Sequence, residues 1–267
     1  MESFAGKVVV LTGASEGIGR ALALHLARAG ARLAISARNA ARLHSLAEEC
    51  RRAGAQALVV PGDASSRADC EALADAAFAH YGAIDVLILN AGATMWSRLD
   101  ELEDVDLLER LMRLNYLGAA WLTHRALPAL LASRGRIVAV SSLTGLVGVP
   151  TRTGYAASKH AMIGFFDSLR VELLGTGVSV TIIAPDFVRS EIHRRATGPD
   201  GRPLGTNPLR EAKIMGADEC ARIIAEAALA RRRLVITSLR GRALRWLKLV
   251  APGLVDRLAD RAIRRHS

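Results

Sequence analysis

Between Lys7 and Gly30, one stretch restricts the fold more tightly than any other part of the chain. A short β-branched run, Lys7 to Leu11, meets the turn Thr12-Gly13-Ala14-Ser15-Glu16-Gly17-Ile18-Gly19 and enters a helical pattern through Leu22, Leu26 and Ala29, closed by Gly30. A glycine-rich turn between a buried strand and a helix lets the backbone come close to a phosphate, while the helix N-terminus adds free N–H groups and the positive end of a dipole. Glycine spacing alone is weak evidence, because tight turns need glycine anyway. Its placement between strand and amphipathic helix points to nucleotide binding.

Further strands and helices follow in alternation. A second strand, Arg32 to Ala37, ends at Arg38. An acidic residue near this point would pair with ribose hydroxyls, whereas an arginine can take a 2′-phosphate through its planar fork. Ser36-Ala37-Arg38-Asn39 carries no carboxylate, which favours NADP(H) and leaves NAD(H) possible; Glu16, a carboxylate in the phosphate turn, argues the other way. A helix over Ala40 to Ala53 leads to a strand over Gln56 to Val60, then Pro61-Gly62-Asp63-Ala64. Asp63 either receives an adenine amino group or caps the next helix, roughly Ser66 to Tyr81. The fourth strand, Ile84 to Leu89, opens into Asn90-Ala91-Gly92-Ala93, small enough for backbone to lie against a ring or ribose. A long helix from about Val105 to Leu131 carries Asn115 among leucines, either as an amide satisfied by backbone or water or as part of a proton relay.

The chemistry concentrates further on. The fifth strand, Arg136 to Val140, delivers Ser141 and Ser142, and a helix from about Thr153 to Leu174 begins with Tyr155-Ala156-Ala157-Ser158-Lys159. The i, i+4 spacing sets Tyr155 and Lys159 on one helix face. A phenol with a pKa near ~10 is a poor proton-transfer group at neutral pH, and a neighbouring ammonium brings it nearer the working range. Ser142 can then hold a carbonyl or alcohol oxygen. After the sixth strand, Val178 to Ala184, the segment 186–215 loses periodicity, with Gly198, Pro199, Gly201, Pro203, Gly205 and Pro208. It is expected to be a substrate lid. A helix over Ala217 to Ala230 and a seventh strand, Leu234 to Thr237, complete the pattern.

At 267 residues, the chain fits one large α/β domain. Three scattered cysteines, Cys50, Cys70 and Cys220, indicate neither a disulfide framework nor a metal site, and a reducing cytoplasm is the expected setting. The opening residues run straight into a strand, which predicts no signal peptide, and no apolar run reaches the ~18 residues of a membrane span. The net charge of +10 is concentrated at the C-terminal end: from Arg231 onward, eleven Arg or Lys face only Asp256 and Asp260. Nucleic-acid binding is disfavoured, since aromatics are scarce and no nucleic-acid-binding pattern is present.

Taken together, Thr12-Gly13-x-x-x-Gly17-Ile18-Gly19, Asn90-Ala91-Gly92, Asn115, Ser142 and Tyr155-x-x-x-Lys159 resemble, in order and spacing, the short-chain dehydrogenase/reductase family over roughly Gly6 to Leu239. The resemblance implies a single Rossmann-type, doubly wound parallel sheet of about seven strands with helices on both faces. It further implies a catalytic tetrad of Asn115, Ser142, Tyr155 and Lys159, with Tyr155 as general acid in reduction and base in oxidation. Lys159 would lower the Tyr155 pKa and reach the nicotinamide ribose, and Asn115 would support a proton-passing water. Gly13, Ser15, Gly17, Ile18 and Gly19 would lie along the pyrophosphate. Arg38 would face the 2′-phosphate, Asp63 the adenine, Asn90 and Gly92 the ribose region, and Pro185 and Val188 the nicotinamide carboxamide. Two departures stand out: Pro185-Asp186-Phe187 where the family often has Pro-Gly, and Glu16 where NADP enzymes often carry a basic residue. Family members are often homodimers or homotetramers.

A catalytic unit over 1–239 would leave 240–267 as a basic amphipathic tail. Leu244, Leu247, Val250 and Ala251 follow helical spacing with Trp246 among basic residues, and a second helical piece follows Pro252-Gly253. The tail is similar to the C-termini of lipid-associated reductases of the dehydrogenase/reductase member 7 group. It is expected either to lie on a membrane surface or to pack on the body or a partner subunit. The combined expectation is an NADP(H)-preferring carbonyl reductase for a small lipophilic ketone or aldehyde, cytoplasmic and peripheral at a membrane through the tail. An alcohol or hydroxysteroid dehydrogenase working oxidatively, or a non-catalytic dinucleotide-binding or membrane-tethered scaffold, are the alternatives.

Overall fold

The computed structural model describes residues 3–189, 191–205 and 214–264. Its centre is a seven-stranded sheet in the order β3-β2-β1-β4-β5-β6-β7, with every neighbouring pair parallel. The strands are β1 (Val8–Thr12), β2 (Arg32–Ser36), β3 (Gln56–Val59), β4 (Val86–Leu89), β5 (Arg136–Val140), β6 (Ser179–Ala184) and β7 (Leu234–Ile236). Parallel strands covered on both faces need apolar side chains on both, and β1, β4 and β5 are buried at every position.

The crossovers are α1 (Gly17–Arg28), α2 (Ala40–Arg52), α3 (Arg67–Tyr81), α4 (Leu107–Met112), α5 (Gly118–Ser133), α6 (Thr153–Glu172) and α7 (Ala217–Leu229). One core cluster packs α1, α2 and α7 on one face through Leu22, Leu43 and Ile224. A second packs α3, α5 and α6 on the other through Leu73, Leu122 and Phe166. The strand order reverses between β1 and β4, the switch point where a crevice opens beyond the carboxyl ends of the strands. The expected elements are present with edges shifted by no more than two residues.

Two local readings change. The long helix containing Asn115 is not uniform: α4 and α5 are joined by a widened π turn, Arg113–Leu117. Asp63 is not the cap of α3; the Ser66 side chain accepts the Asp69 N–H in that role. Of the expected lid, Thr197 bridges to Met95 and Pro203, and Val188 to Met215, so its described part is ordered against the β4 exit and the start of α7. The stretch 206–213, with Pro208, lies outside the described residues.

After β7, α8 (Leu239–Val250) and α9 (Pro252–Arg264) fold back onto the carboxyl end of the sheet. Ser238 caps α8 by accepting the Gly241 N–H at 2.9 Å, Leu244 packs with Leu143 and Val147, and Lys248 Nζ donates to the Leu146 carbonyl at 2.8 Å.

The approach of α5 to the loop carrying Asp63 sets a sharp steric requirement. A Cβ on Gly118 would stand 1.9 Å from the Ala64 carbonyl oxygen, whereas one on Gly164, exposed in α6, would meet nothing within 4 Å. Gly118→Ala is therefore expected to destabilise by about 3 kcal/mol or more, and Gly164→Ala to stabilise by up to about 1 kcal/mol through helix propensity. Urea unfolding of both variants checks this; a neutral Gly118→Ala would contradict the packing.

Candidate active site

The crevice is one continuous cavity of about 780 Å³ that runs from the β2 end, across the β1 turn, to the N-terminus of α6. At its β1–β2 end, Gly13, Ser15, Gly17 and Ile18 line the wall. Gly13 and Gly17 have φ of 66° and 52°, left-handed values that favour glycine. Gly19 is buried in the first turn of α1, where a Cβ would stand 2.1 Å from the Gly13 carbonyl oxygen. No side chain caps α1, so its first N–H groups remain for an anion.

Arg38 is exposed at the end of β2 without an ion-pair partner among the described residues, and Arg42 stands one helical turn further on, also lining the cavity. Glu16 is engaged rather than free: Arg42 and Arg195 each donate to it at 2.6 Å. Asp63 lines the same end, its Oδ1 accepting the N–H and the hydroxyl of Ser65, each at 2.8 Å. Asn90 gives its side-chain hydrogens to the carbonyls of Thr12 and Gly13, each at 3.2 Å, and so ties the glycine turn to β4. A helix N-terminus without a side-chain cap, the exposed Arg38 at the end of β2 and an elongated groove across the switch point fit a phosphorylated dinucleotide.

At the other end stand the expected reacting groups. Ser142 leaves β5 in extended conformation; its Oγ accepts the Thr144 N–H at 3.2 Å and lies 2.6 Å from Thr144 Oγ1. Tyr155 and Lys159 come from the first turns of α6, both buried and both lining the cavity. Lys159 Nζ donates to the Val140 carbonyl at 2.9 Å and lies 5.9 Å from the centre of the Tyr155 ring. Burial pushes the Lys159 ammonium down to about 8. Burial also raises the Tyr155 phenol, against which the Ser142 hydroxyl and the Arg152 charge act to lower it. Asn115 does not touch Tyr155. From the π turn it accepts the Ala93 N–H and donates to the Ala93 carbonyl and to Ser158 Oγ, all at 2.9 Å. A Cβ on Gly92 would stand 2.9 Å from Asn115 Oδ1 and 3.5 Å from Lys159 Nζ.

Pro185 and Val188 line the cavity beyond β6, and the Pro185 carbonyl accepts the Leu143 N–H at 2.8 Å. Asp186, in the position where a glycine was expected, has a structural task. Its carboxylate accepts from Ser238 Oγ at 2.8 Å and from Arg240 at 2.9 and 3.0 Å, anchoring α8 to the loop.

Several lining residues were not anticipated. Arg152 immediately precedes α6 and is 4% exposed; its guanidinium lies 4.2 Å from the Trp96 ring centre, and Nη1 donates to Thr94 Oγ1 at 2.8 Å. The preceding Thr151 has φ of 66°, a left-handed value that strains a β-branched residue. His193, from the lid, is 8% exposed; burial and the Arg152 charge push it down to about 4 while the Val188 backbone acts the other way. Val255, Leu258 and Ala259 of α9 complete the wall. The position of Arg152 three residues before Tyr155 was a visible cue; for His193 and α9 the sequence carried no local signal.

A sequence profile of the short chain dehydrogenase family matches residues 7–199. The chain is 35% identical over 261 residues to 11-beta-hydroxysteroid dehydrogenase A of Sesamum indicum, covering 96% of this chain and 75% of that protein. It is 33% identical over 265 residues to dehydrogenase/reductase SDR family protein 7-like of Dictyostelium discoideum, covering 97% and 82%. Among solved structures, a short chain dehydrogenase/reductase from Burkholderia phymatum in complex with NAD superposes with a TM-score of 0.86 at 29% identity, covering 95% of this chain and 96% of that one.

The buried ammonium of Lys159 links stability to pH. Its folded pKa of about 8 lies below the unfolded value, so between the two the unfolded chain binds more protons and stability rises with pH. Below pH 8 the burial cost is fully present. Relative to Lys159→Met, wild type is expected to gain about 2 kcal/mol between pH 7.5 and pH 9.5. Urea unfolding of both proteins at the two pH values measures it, and a gap that stays constant would refute the shift.

Proposed function

We propose that this chain, which belongs to the short-chain dehydrogenase family and is an oxidoreductase with a nicotinamide-dinucleotide-binding fold, reduces the carbonyl of a lipophilic ketone or aldehyde with NADPH as its preferred cofactor. The observation that carries this reading is the convergence of Ser142, Tyr155 and Lys159 on one end of a cavity whose other end holds the uncapped α1 N-terminus and Arg38.

When bound, the nicotinamide supplies the hydride that goes to the carbonyl carbon. The protein's own groups handle the oxygen and the proton. Thr144 N–H donates to Ser142 Oγ, and with the Thr144 hydroxyl, 2.6 Å away, donating to it as well, the serine hydrogen is left for the substrate oxygen. Tyr155 then passes its phenolic proton to that oxygen. The tyrosinate left behind is stabilised by two cations, Lys159 on the same helix face and Arg152 just before the helix, and is reprotonated by way of Lys159. Arg152 stays charged at neutral pH, since burial brings it down only to about 10. Water is kept from the site by the apolar wall of Leu143, Val147, Val255 and Leu258, which also suits an apolar substrate body.

The NADPH preference is supported by Arg38 and Arg42 at the β2 end and by the neutralisation of Glu16 by Arg42 and Arg195. With a panel of ketones, Tyr155→Phe is expected to lower turnover by about a hundredfold or more while NADPH still binds. In fluorescence titrations, Arg38→Ala is expected to weaken NADPH by about tenfold and leave NADH nearly unchanged. Full turnover in the phenylalanine variant, or equal losses for both cofactors, would sink the respective half of the proposal.

The tail supports a peripheral membrane position. Trp246, Leu249 and Val250 are 68%, 70% and 81% exposed among basic residues on α8, and no helix among the described residues is long and apolar enough to cross a bilayer. Replacing those three by serine is expected to abolish flotation with anionic vesicles. Unchanged flotation would remove the membrane reading.

A further inference from the structure

We propose that Arg152 and His193 form a recognition site for a carboxylate on the substrate, so that the carbonyl compound reduced here is an amphiphilic oxo-acid. The inference rests on the carbonyl-reductase reading and narrows its substrate.

Arg152 lies in the wall of the reaction cavity with no counter-ion. Nη1 is held by Thr94 and the guanidinium face by Trp96, but Nη2 is buried with no partner, and no carboxylate pairs with it among the described residues. His193 Nδ1, on the lid side of the same cavity, is also buried and without a hydrogen-bond partner among the described residues, and in the Nδ1–H tautomer the neutral ring donates there. Native proteins partner nearly all buried polar groups, and two orphans beside a reactive tyrosine identify a ligand-shaped omission. Both residues line the cavity, so a molecule bound there can supply the missing partners.

The charge selects the chemistry. A neutral acceptor could take the Nη2 hydrogen but would leave the guanidinium uncompensated in an apolar setting, whereas a carboxylate answers both needs. The cofactor does not supply this anion: its phosphates match the α1 N-terminus, Arg38 and Arg42 at the opposite end. Arg152 sits three residues before Tyr155, so the carboxylate and the reacting carbonyl bind within the same compartment. Trp96, Leu143, Val147, Leu244, Val255 and Leu258 provide apolar walls for the rest of an aliphatic body. Trp96 stacking and the Thr94 bond fix the guanidinium plane in advance, which gives the site geometry as well as charge.

The test uses the full chain, wild type and Arg152→Gln, Arg152→Lys and His193→Ala variants, with two readouts. The first is melting-temperature shift with decanoate against methyl decanoate, which needs no turnover. The second is kcat/KM with NADPH for oxodecanoates bearing the carbonyl at different carbons, against their methyl esters. The expected result is an acid-over-ester preference of about tenfold or more in wild type, near parity in Arg152→Gln, partial recovery in Arg152→Lys and partial loss in His193→Ala. Arg152-dependent decanoate binding without turnover of any oxo-acid would uphold the carboxylate site and sink the reductase reading instead. The proposal is overturned if decanoate and its ester bind wild type alike, or if Arg152→Gln lowers acid and ester by the same factor, as expected of a residue acting only on Tyr155 or on folding. Should Arg152→Gln fail to fold, His193→Ala decides: an undiminished acid preference there overturns the paired site.

Discussion

The side chain of Asn115 holds the reactive half of the molecule in register. It is fully buried, and its amide bonds twice to the main chain of Ala93 and once to Ser158 Oγ. Ser158 in turn donates to the Tyr155 carbonyl at 2.8 Å, in the first turn of α6. One amide thereby joins the exit of β4, the helix pair α4–α5 and the helix carrying Tyr155 and Lys159. A buried amide left without partners costs about 1–3 kcal/mol per group, so none of the three elements can slide without penalty. The π turn is what allows it: one extra residue in the helix turns Asn115 inward.

A second linkage closes the cavity from the far side. Asp186 departs from the glycine expected after β6, and the structure spends that carboxylate on Ser238 and Arg240 at the start of α8. Arg240 also lies 5.9 Å from the Phe187 ring centre. The loop after β6 and the helices α8 and α9, which line the same cavity, are therefore fastened to each other. At the adenosine end, Glu16 does comparable work between Arg42 on α2 and Arg195 on the lid.

The fold was legible in the sequence because its signals are local: buried strands read as apolar runs, and Gly13, Gly30, Gly54 and Gly82 stand where strands or helices end. The i, i+4 spacing of Tyr155 and Lys159 placed them on one helix face, and α6 carries both into the cavity wall. What remained hidden depends on partners far along the chain. Glu16 looked unfavourable in a phosphate turn because Arg195 lies 179 residues away. Asp63 was read either as a partner for an adenine or as the cap of the next helix, and only the packed helix start assigns that cap to Ser66. Periodicity in 240–267 predicted helices but could not say which side faces inward; Val255 at 3% exposure and Trp246 at 68% show that the segment has both an inner and an outer face.

The position of α8 and α9 separates two properties that share one cavity. Ser142, Tyr155 and Lys159 come from β5 and α6, whereas Val255, Leu258 and Ala259 of the same cavity wall come from helices joined to the body after β7 and held there through Asp186, Leu244 and Lys248. Those helices form a cassette. Under the proposed function, replacing the segment after β7 alters the wall that meets the substrate without touching the residues that β5 and α6 supply.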